Sequence, residues 1–197
     1  MAYNFHKPEK LPKFMTWKEI RIFFDSFNKN SYHNCFYYYL YKTMLYSGIR
    51  ISEALSIKIT DISFEECNIL IRHTKNGTQH LAVLHPGFVP ELKEWIKYLK
   101  GFFPNTPYLF PKFNKNPNVG RVNSSRYFKV QLNRCGLSEE YHPHSLRHSF
   151  ATHLYEEGVP LEKIQILLNH TDITSTQIYV YCAVKSLIPE VCKLEMI

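Results

Sequence analysis

The chain has 197 residues, of which 45% are hydrophobic and 21% are charged, and this composition suits one globular domain. Lysine and arginine total 24 against 17 acidic residues, and the resulting formal charge of +7 is compatible with a polyanionic partner. No apolar run approaches the about 20 residues that a membrane span requires, and the polar N-terminus does not resemble a signal peptide. Five scattered cysteines without a CxxC pair argue against a structural zinc site and favour reduced thiols in a cytosol-like compartment.

The first third of the chain predicts three helices after a basic lead-in. Thr16 and Glu19 form a capping-box pattern ahead of an apolar face, so the first helix is expected to begin there. The run NCFYYYLYKTMLYSG predicts a second, buried helix that ends at Gly48, because glycine readily adopts a left-handed cap conformation. The run RISEALSIK predicts a short third helix.

The hydrophobic pattern then changes to that of strands. Two strand-like runs, NILIRHT and QHLAVLH, flank KNGT, and Asn-Gly is a strong hairpin signal. A small antiparallel sheet is therefore predicted at residues 60–85, followed by a helix from Pro90 and a loop over residues 104–120. Further helices are predicted in NSSRYFKVQLNRCG, SLRHSFATHLYEEG, PLEKIQILLNH and TSTQIYVY. The predicted fold class is mainly α with a small antiparallel β-sheet (α+β).

The segment HPHSLRHSFATHL contains four histidines and one arginine. His144 and His148 have the i, i+4 spacing of a zinc helix, but no glutamate follows the first histidine, and Arg147 would repel a cation, so no metal site is predicted. His148 and His153 are alternatively buried, hydrogen-bonded residues, an interpretation that is favoured for His153 and open for His148. Arg147 can bind two phosphate oxygens at once, and His144 can donate to the same group or take up a proton.

Four segments resemble the tyrosine recombinases, also called the phage integrase family. SGIRISEALSIKITDI resembles their first arginine box, HSLRHSFATHL their His-x-x-Arg box, and IRHTKNGTQHLAVL the hairpin that carries their lysine. ILLNHTDITSTQIYVY resembles the box in which a histidine precedes the nucleophilic tyrosine by nine residues. The four segments occur in the family's order and at its usual separations, between Thr16 and Tyr181.

The resemblance implies which residues bind the scissile phosphate. Arg50 and Arg147 would clamp its non-bridging oxygens, and His144 and His170 would donate to those oxygens or move protons. Taken alone, Arg50 is more typical of an ordinary surface arginine, and His170 could simply cap the end of a helix.

The resemblance also implies a general acid, Lys75, and a nucleophile, Tyr179. Taken alone, Lys75 beside Asn-Gly is typical of a solvated turn. Tyr179 is preferred over Tyr181 because it lies at the family's distance from His170. Two supporting residues are implied as well, His148 and Glu53, of which the glutamate is expected to orient an arginine.

The implied activity is site-specific recombination of double-stranded DNA through a 3′-phosphotyrosyl intermediate, without a cofactor, metal or ATP. Clustered cations suit this chemistry because they stabilise the charge that develops on the phosphate and lower the pKa of a tyrosine from about 10. The expected assembly is a homotetramer on two DNA sites, with a monomer compatible with the DNA-free state. One alternative is a topoisomerase-like enzyme that relaxes DNA and needs only one site. Another is a DNA-binding regulator without turnover, but the presence of the complete set of catalytic residues argues against it.

The resemblance divides the chain into a lead-in (1–14), a catalytic domain (15–181) and a tail (182–197) that docks on a neighbouring protomer or on its own domain. Most family members have a core-binding domain before the catalytic one. The chain is therefore expected to be a portion of a longer recombinase or a minimal one that resembles the fimbrial-switch invertases. The third box has Asn169 where glycine is usual, and asparagine tolerates the left-handed conformation. Candidate contacts to the DNA backbone are Arg72, Lys112, Lys115, Arg121 and Arg126.

Overall fold

The computed structural model describes residues 13–72, 78–111, 117–169 and 188–196, and within these ranges the fold is mainly helical with one small antiparallel sheet, as predicted. The described helices are α1 (Trp17–Asp25), α2 (Tyr32–Ser47), α3 (Ile51–Ala54), α4 (Val89–Phe102), α5 (Pro117–Arg134), α6 (Pro143–Glu156), α7 (Leu161–Leu167) and α8 (Ile188–Val191). The strands are β1 (Ile62–Ser63), β2 (Asn68–Ile71) and β3 (His80–Val83), in the order β1-β2-β3. None of the helices in these ranges is both long and apolar enough to cross a membrane.

The predicted start of α1 and the predicted end of α2 are confirmed. The backbone N–H of Thr16 donates to the Glu19 carboxylate at 2.8 Å, and the backbone N–H of Glu19 donates to Thr16 Oγ1 at 3.3 Å. Gly48 caps α2 in the left-handed region at φ +67°. A Cβ atom at Gly48 would lie 2.7 Å from the Phe150 ring, so the backbone conformation and the close packing of α6 both favour glycine at this position.

The predicted sheet is present and has one more strand than expected. Strands β2 and β3 pair with Ile71 opposite His80 and Asn68 opposite Val83. The Asn-Gly turn between them lies outside the described residues. Strand β1 was not predicted, since two residues are too few to show an alternating pattern.

Two helices begin earlier than predicted. Helix α5 begins at Pro117, inside the stretch that was expected to be a loop, and α6 begins at Pro143 rather than near Ser145. Proline fits the first turn of a helix because the N–H it lacks has no intrahelical partner there. The predictions were wrong because they used the apolar pattern, which begins later than the first turn.

Helix α6 lies between two buried apolar clusters. The larger cluster is rich in aromatic rings from α1, α2, α4 and α5, and it includes Leu146 at the start of α6. The smaller cluster joins Phe150 of α6 to Val83 of β3 and Leu168 after α7. Val191 and Leu194 also belong to this smaller cluster, so residues 188–196 pack on their own chain in this structure. Burial on both sides fixes the position of Arg147, which lies between Leu146 and Phe150 in the sequence.

Candidate active site

Arg147 connects the ends of two helices. Its Nη1 donates to the carbonyl oxygen of Gly48 at 2.7 Å, and its Nη2 donates to that of Leu168 at 2.6 Å. These residues are the C-caps of α2 and α7, where backbone carbonyls lack intrahelical partners and the helix dipole favours a cation. Asn169 follows Leu168 with φ +47°, which confirms that asparagine makes the left-handed turn there.

Arg147 is buried, with 6% of its surface exposed. Burial and the nearby Arg50 guanidinium lower the pKa of Arg147 to about 10, while the Glu53 carboxylate opposes the shift. The side chain therefore stays protonated at neutral pH. Guanidinium has five N–H donors, so the two hydrogen bonds to carbonyls leave others for an anion.

Arg50 and Glu53 form a local pair at the start of α3. The backbone N–H of Arg50 donates to Glu53 Oε2 at 2.7 Å, and its Nη1 donates to Oε1 at 2.9 Å. Glu53 is buried at 1% exposure, whereas the Arg50 side chain is 32% exposed. The predicted contact between Glu53 and an arginine is therefore present, and it fixes one side of a guanidinium whose other side is open to solvent.

His144 lies in the first turn of α6, and its side chain is only partly exposed to solvent. Partial burial lowers the pKa of His144, and the neighbouring His142, Arg147 and Arg50 lower it further, while Glu53 opposes them. The imidazole is therefore neutral at pH 7, and protonating it beside two guanidinium groups is unfavourable. A neutral ring can still donate one hydrogen bond to a phosphate oxygen.

The other histidines of α6 differ in their surroundings. His153 is buried, with Nε2 2.9 Å from the Met15 carbonyl oxygen, Nδ1 2.9 Å from Glu156, and its ring stacked on Trp17 at 4.2 Å. Its interpretation as a buried, hydrogen-bonded residue is confirmed. His148 is half-buried. In the described part of the chain, no group of three or more His, Cys, Asp or Glu side chains is arranged to hold a metal ion.

Sequence reasoning missed His80, the first residue of β3. Burial is the main cause of its lowered pKa, and the Arg147 and Arg50 guanidinium groups add to it while Glu53 opposes it. His80 therefore lies within electrostatic reach of the predicted arginine pair. Its place shortly after the predicted Asn-Gly turn was the available signal, but no pattern within QHLAVLH distinguishes it from an ordinary strand residue.

The structure brings together Arg50, Glu53, His144 and Arg147 from two separate segments of the chain, because Arg50 and Glu53 both act on the pKa values of His144 and Arg147. The remaining predicted catalytic residues, Lys75, His170 and Tyr179, lie outside the described residues.

Three of the five candidate DNA-backbone contacts lie in the described part of the chain. Arg72 donates from Nε to the buried Asp61 at 2.7 Å, so part of its charge is already paired. Arg121 and Arg126 are exposed on α5. Lys112 and Lys115 lie outside the described ranges.

Curated proteins with related sequences are recombinases. The chain is 32% identical over 178 residues to a tyrosine recombinase of Thermosipho africanus, and the match covers 88% of this chain and 59% of the relative. It is 32% identical over 184 residues to the tyrosine recombinase XerA of Pyrococcus furiosus, covering 91% and 61% of the two proteins. The chain thus spans about three fifths of the length of these relatives.

Solved structures share the fold. The crystal structure of XerA recombinase matches with a TM-score of 0.69 at 22% identity, covering 93% of this chain and 66% of that one. The XerH site-specific recombinase bound to difH substrate matches with a TM-score of 0.67 at 25% identity, covering 90% and 51%. The Phage integrase family matches residues 13–185, which is most of the sequence, and the chain belongs to that family.

Proposed function

We propose that the chain cleaves and rejoins DNA strands in site-specific recombination. The observation that supports this most is that Arg50, which is hydrogen-bonded to Glu53, lies near enough to Arg147 to lower its pKa. Arg147 is itself hydrogen-bonded to two helix ends. Two guanidinium groups this close to each other repel. The folded chain nevertheless holds them together, and an anion bound between them would stabilise this arrangement. A phosphodiester is an anion that such a pair can bind through two oxygens.

In the proposed reaction the Tyr179 oxygen attacks the phosphorus atom while Arg50 and Arg147 hold the non-bridging oxygens. A phosphorus–tyrosine bond forms at the 3′ end, and the bond from phosphorus to the 5′ oxygen breaks. Lys75 donates the proton that the departing oxygen needs. His144, which is neutral, and His170 donate hydrogen bonds to the phosphate or relay the tyrosine proton. Reversal of the same steps rejoins a strand.

The proposed partner is double-stranded DNA, and the proposed active assembly is a homotetramer on two sites. Two related structures support this: XerH is bound to its difH substrate, and a lambda integrase tetramer is bound to a Holliday junction. In this proposal Glu53 orients Arg50 and His148 supports the cluster. The proposed location is cytoplasmic and associated with DNA.

The test uses a library of nicked duplexes with a randomised recognition region, incubated with the whole chain in EDTA. Cleavage next to a nick releases a short fragment, so the covalent adduct accumulates and survives denaturant. An adduct is expected with the wild type and with Tyr181→Phe, and none with Tyr179→Phe. An adduct that persists in Tyr179→Phe would overturn the assignment of the nucleophile.

A second assay separates recombination from relaxation. The duplexes captured in the first assay supply two copies of the preferred site, placed on one supercoiled plasmid. Recombination exchanges the arms between the sites, whereas relaxation changes only the linking number. Relaxation at a single site without exchanged arms would contradict the proposal in favour of a topoisomerase-like activity.

A further inference from the structure

His80 belongs to none of the motifs that predict the site, yet its position brings it there. It lies opposite Ile71 in the antiparallel ladder, and residues paired in this way share a face of the sheet. Ile71 is buried in the cluster that also contains Ile51 and Ala54 of α3. His80 therefore lies at the end of a sheet face that packs in the same core as the helix that carries Glu53.

The charges around His80 determine its protonation state. Burial disfavours the charged imidazolium, and the guanidinium groups of Arg147 and Arg50 disfavour it further, against the opposing effect of Glu53. The pKa of His80 is lowered as a result, so the ring is neutral at pH 7. A neutral imidazole has one nitrogen that donates a hydrogen bond and one that accepts.

The Nδ1 atom of His80 is buried and has no hydrogen-bond partner in the part of the chain that the structure describes. An unpaired polar nitrogen in a protein interior is destabilising and calls for a physical reason. In a neutral imidazole the nitrogen with the lone pair is the negative end of the ring dipole. The two nearby guanidinium groups therefore favour an arrangement in which this nitrogen faces them. We infer that Nδ1 is an acceptor and that the ring hydrogen resides on Nε2.

Of the two guanidinium groups that act on His80, that of Arg50 keeps more N–H groups without a partner in the described part of the chain. Arg147 already donates from both terminal nitrogens to backbone carbonyls. In the described ranges the Arg50 guanidinium donates only from Nη1, to Glu53, and it is about one third exposed. To bind a phosphate, Arg50 has to point its remaining N–H groups at it. A single side-chain hydrogen bond to Glu53 does not fix the guanidinium in that orientation.

We propose that His80 is a positioning residue whose Nδ1 accepts a hydrogen bond from the Arg50 guanidinium when DNA is bound, so that the remaining N–H groups of Arg50 point at the phosphate. This proposal rests on the proposed function, and it adds a fifth member to the cluster of Arg50, Glu53, His144 and Arg147.

Two substitutions of similar size test it. In His80→Asn the side-chain amide occupies the place of Nδ1 and retains an acceptor there, whereas His80→Leu fills the space without one. Single-turnover cleavage of the captured nicked duplex is expected to slow by about 10-fold or more in His80→Leu, the loss of one hydrogen bond to a charged group. Cleavage in His80→Asn is expected within about threefold of the wild type on the same scale.

Two further measurements exclude a merely structural role. DNA affinity is expected to change by less than about twofold in both variants. The free energy of unfolding of His80→Leu is expected to be no lower than that of the wild type, because an apolar group replaces an unpaired polar one. Undiminished cleavage by His80→Leu, or equal losses in the two variants, would overturn the proposal.

A readout that needs no turnover keeps this test separate from that of the proposed function. The imidazole nitrogens of His80 are followed by ¹⁵N NMR in Tyr179→Phe, which cannot form the adduct, and His80→Asn assigns the resonance. Adding the nicked duplex is expected to move the Nδ1 resonance in the direction of an accepted hydrogen bond. An unchanged resonance with DNA bound contradicts the role of His80, whereas a missing adduct in the wild type contradicts the proposed function.

Discussion

The Nη1 atom of Arg147 donates to the carbonyl oxygen of Gly48 at 2.7 Å, although 99 positions separate the two residues. Gly48 ends α2 two residues before Arg50, so this hydrogen bond joins the His-x-x-Arg helix to the segment of the first arginine. The same contact satisfies a backbone carbonyl at a helix end. Folding and the proposed chemistry therefore depend on one side chain, and substitutions must be measured for both.

Removing the Arg147 side chain is expected to destabilise the fold. In Arg147→Ala the carbonyls of Gly48 and Leu168 lose their donor, and two unsatisfied buried acceptors correspond to a loss of about 2–4 kcal/mol in the free energy of unfolding. Urea denaturation measures it, with Arg121→Ala as the exposed-arginine control, for which a change within about 0.5 kcal/mol is expected. Equal stabilities of the two variants would show that water replaces the guanidinium.

The same variant is expected to lose cleavage more than binding. Under conditions in which Arg147→Ala is folded, cleavage of the nicked duplex is expected to fall by about 100-fold or more, as for other donors that stabilise transition-state charge. DNA affinity is measured in parallel by titration at fixed salt. Parallel losses of affinity and cleavage would assign Arg147 to binding instead.

Gly48→Ala and Gly136→Ala form a matched pair. Both glycines have a left-handed backbone, at φ +67° and φ +68°, so alanine costs about 1–2 kcal/mol at either position. A Cβ atom at Gly48 also meets the Phe150 ring at 2.7 Å, whereas no atom of the described chain lies within 4 Å at Gly136. Gly48→Ala is therefore expected to lose about 1–3 kcal/mol more stability in urea denaturation. Equal losses would show that α6 moves aside without cost.

Glu53→Gln tests whether the carboxylate orients Arg50. The amide has nearly the same shape but no charge, so the Arg50 guanidinium is held less firmly, and cleavage is expected to fall by about 10-fold. Glu91→Gln is the control, since Glu91 pairs with the buried Lys42 at 2.8 Å outside the arginine cluster. It is expected to lower stability without changing the single-turnover rate. Cleavage at the wild-type rate by Glu53→Gln would exclude an orienting role.

Stability is expected to fall in acid because of His85. Its Nδ1 accepts a hydrogen bond from the Gly87 backbone N–H at 3.0 Å, and burial lowers its pKa from 6.5, against the opposing carbonyls of Cys192 and Leu194. Because the unfolded chain takes up the proton first, the stabilisation is present above pH 6.5 and is lost below it, at a limiting slope of about 1.4 kcal/mol per pH unit.

His85→Asn separates this contribution from those of the other histidines with lowered pKa values. Asparagine can accept from the Gly87 N–H but does not titrate. The free energy of unfolding of His85→Asn is therefore expected to fall less steeply than that of the wild type between about pH 7 and about pH 5. Parallel stability curves for the two proteins would contradict a titrating His85.

Local patterns predicted most of the helices and the hairpin because their causes are local. The Thr16–Glu19 cap, the glycine at the end of α2 and the alternating strands are each set by residues a few positions apart. The first turns of α5 and α6 and the two-residue strand β1 were missed, because proline and short segments carry no periodic signal.

The site was predictable only in part. The resemblance pointed to Arg50, Glu53, His144 and Arg147, and the structure gathers them, but the burial of Arg147 between two helix ends depends on contacts across the whole fold. His80 was missed for the same reason, because only the pairing of β3 with β2 shows which way it faces. Lys75, His170 and Tyr179 remain predictions.

We expect the cluster of Arg50 and Arg147 to serve a tyrosine that becomes covalently joined to DNA. The most direct test is peptide mass mapping of the denatured adduct after nuclease digestion. We predict a nucleotide on Tyr179 in the wild type and loss of the adduct in Arg50→Ala. A nucleotide on Tyr181 or on any other side chain would show that Tyr179 is not the nucleophile, and an adduct that forms on Tyr179 at an undiminished rate in Arg50→Ala would show that the arginine cluster does not serve it.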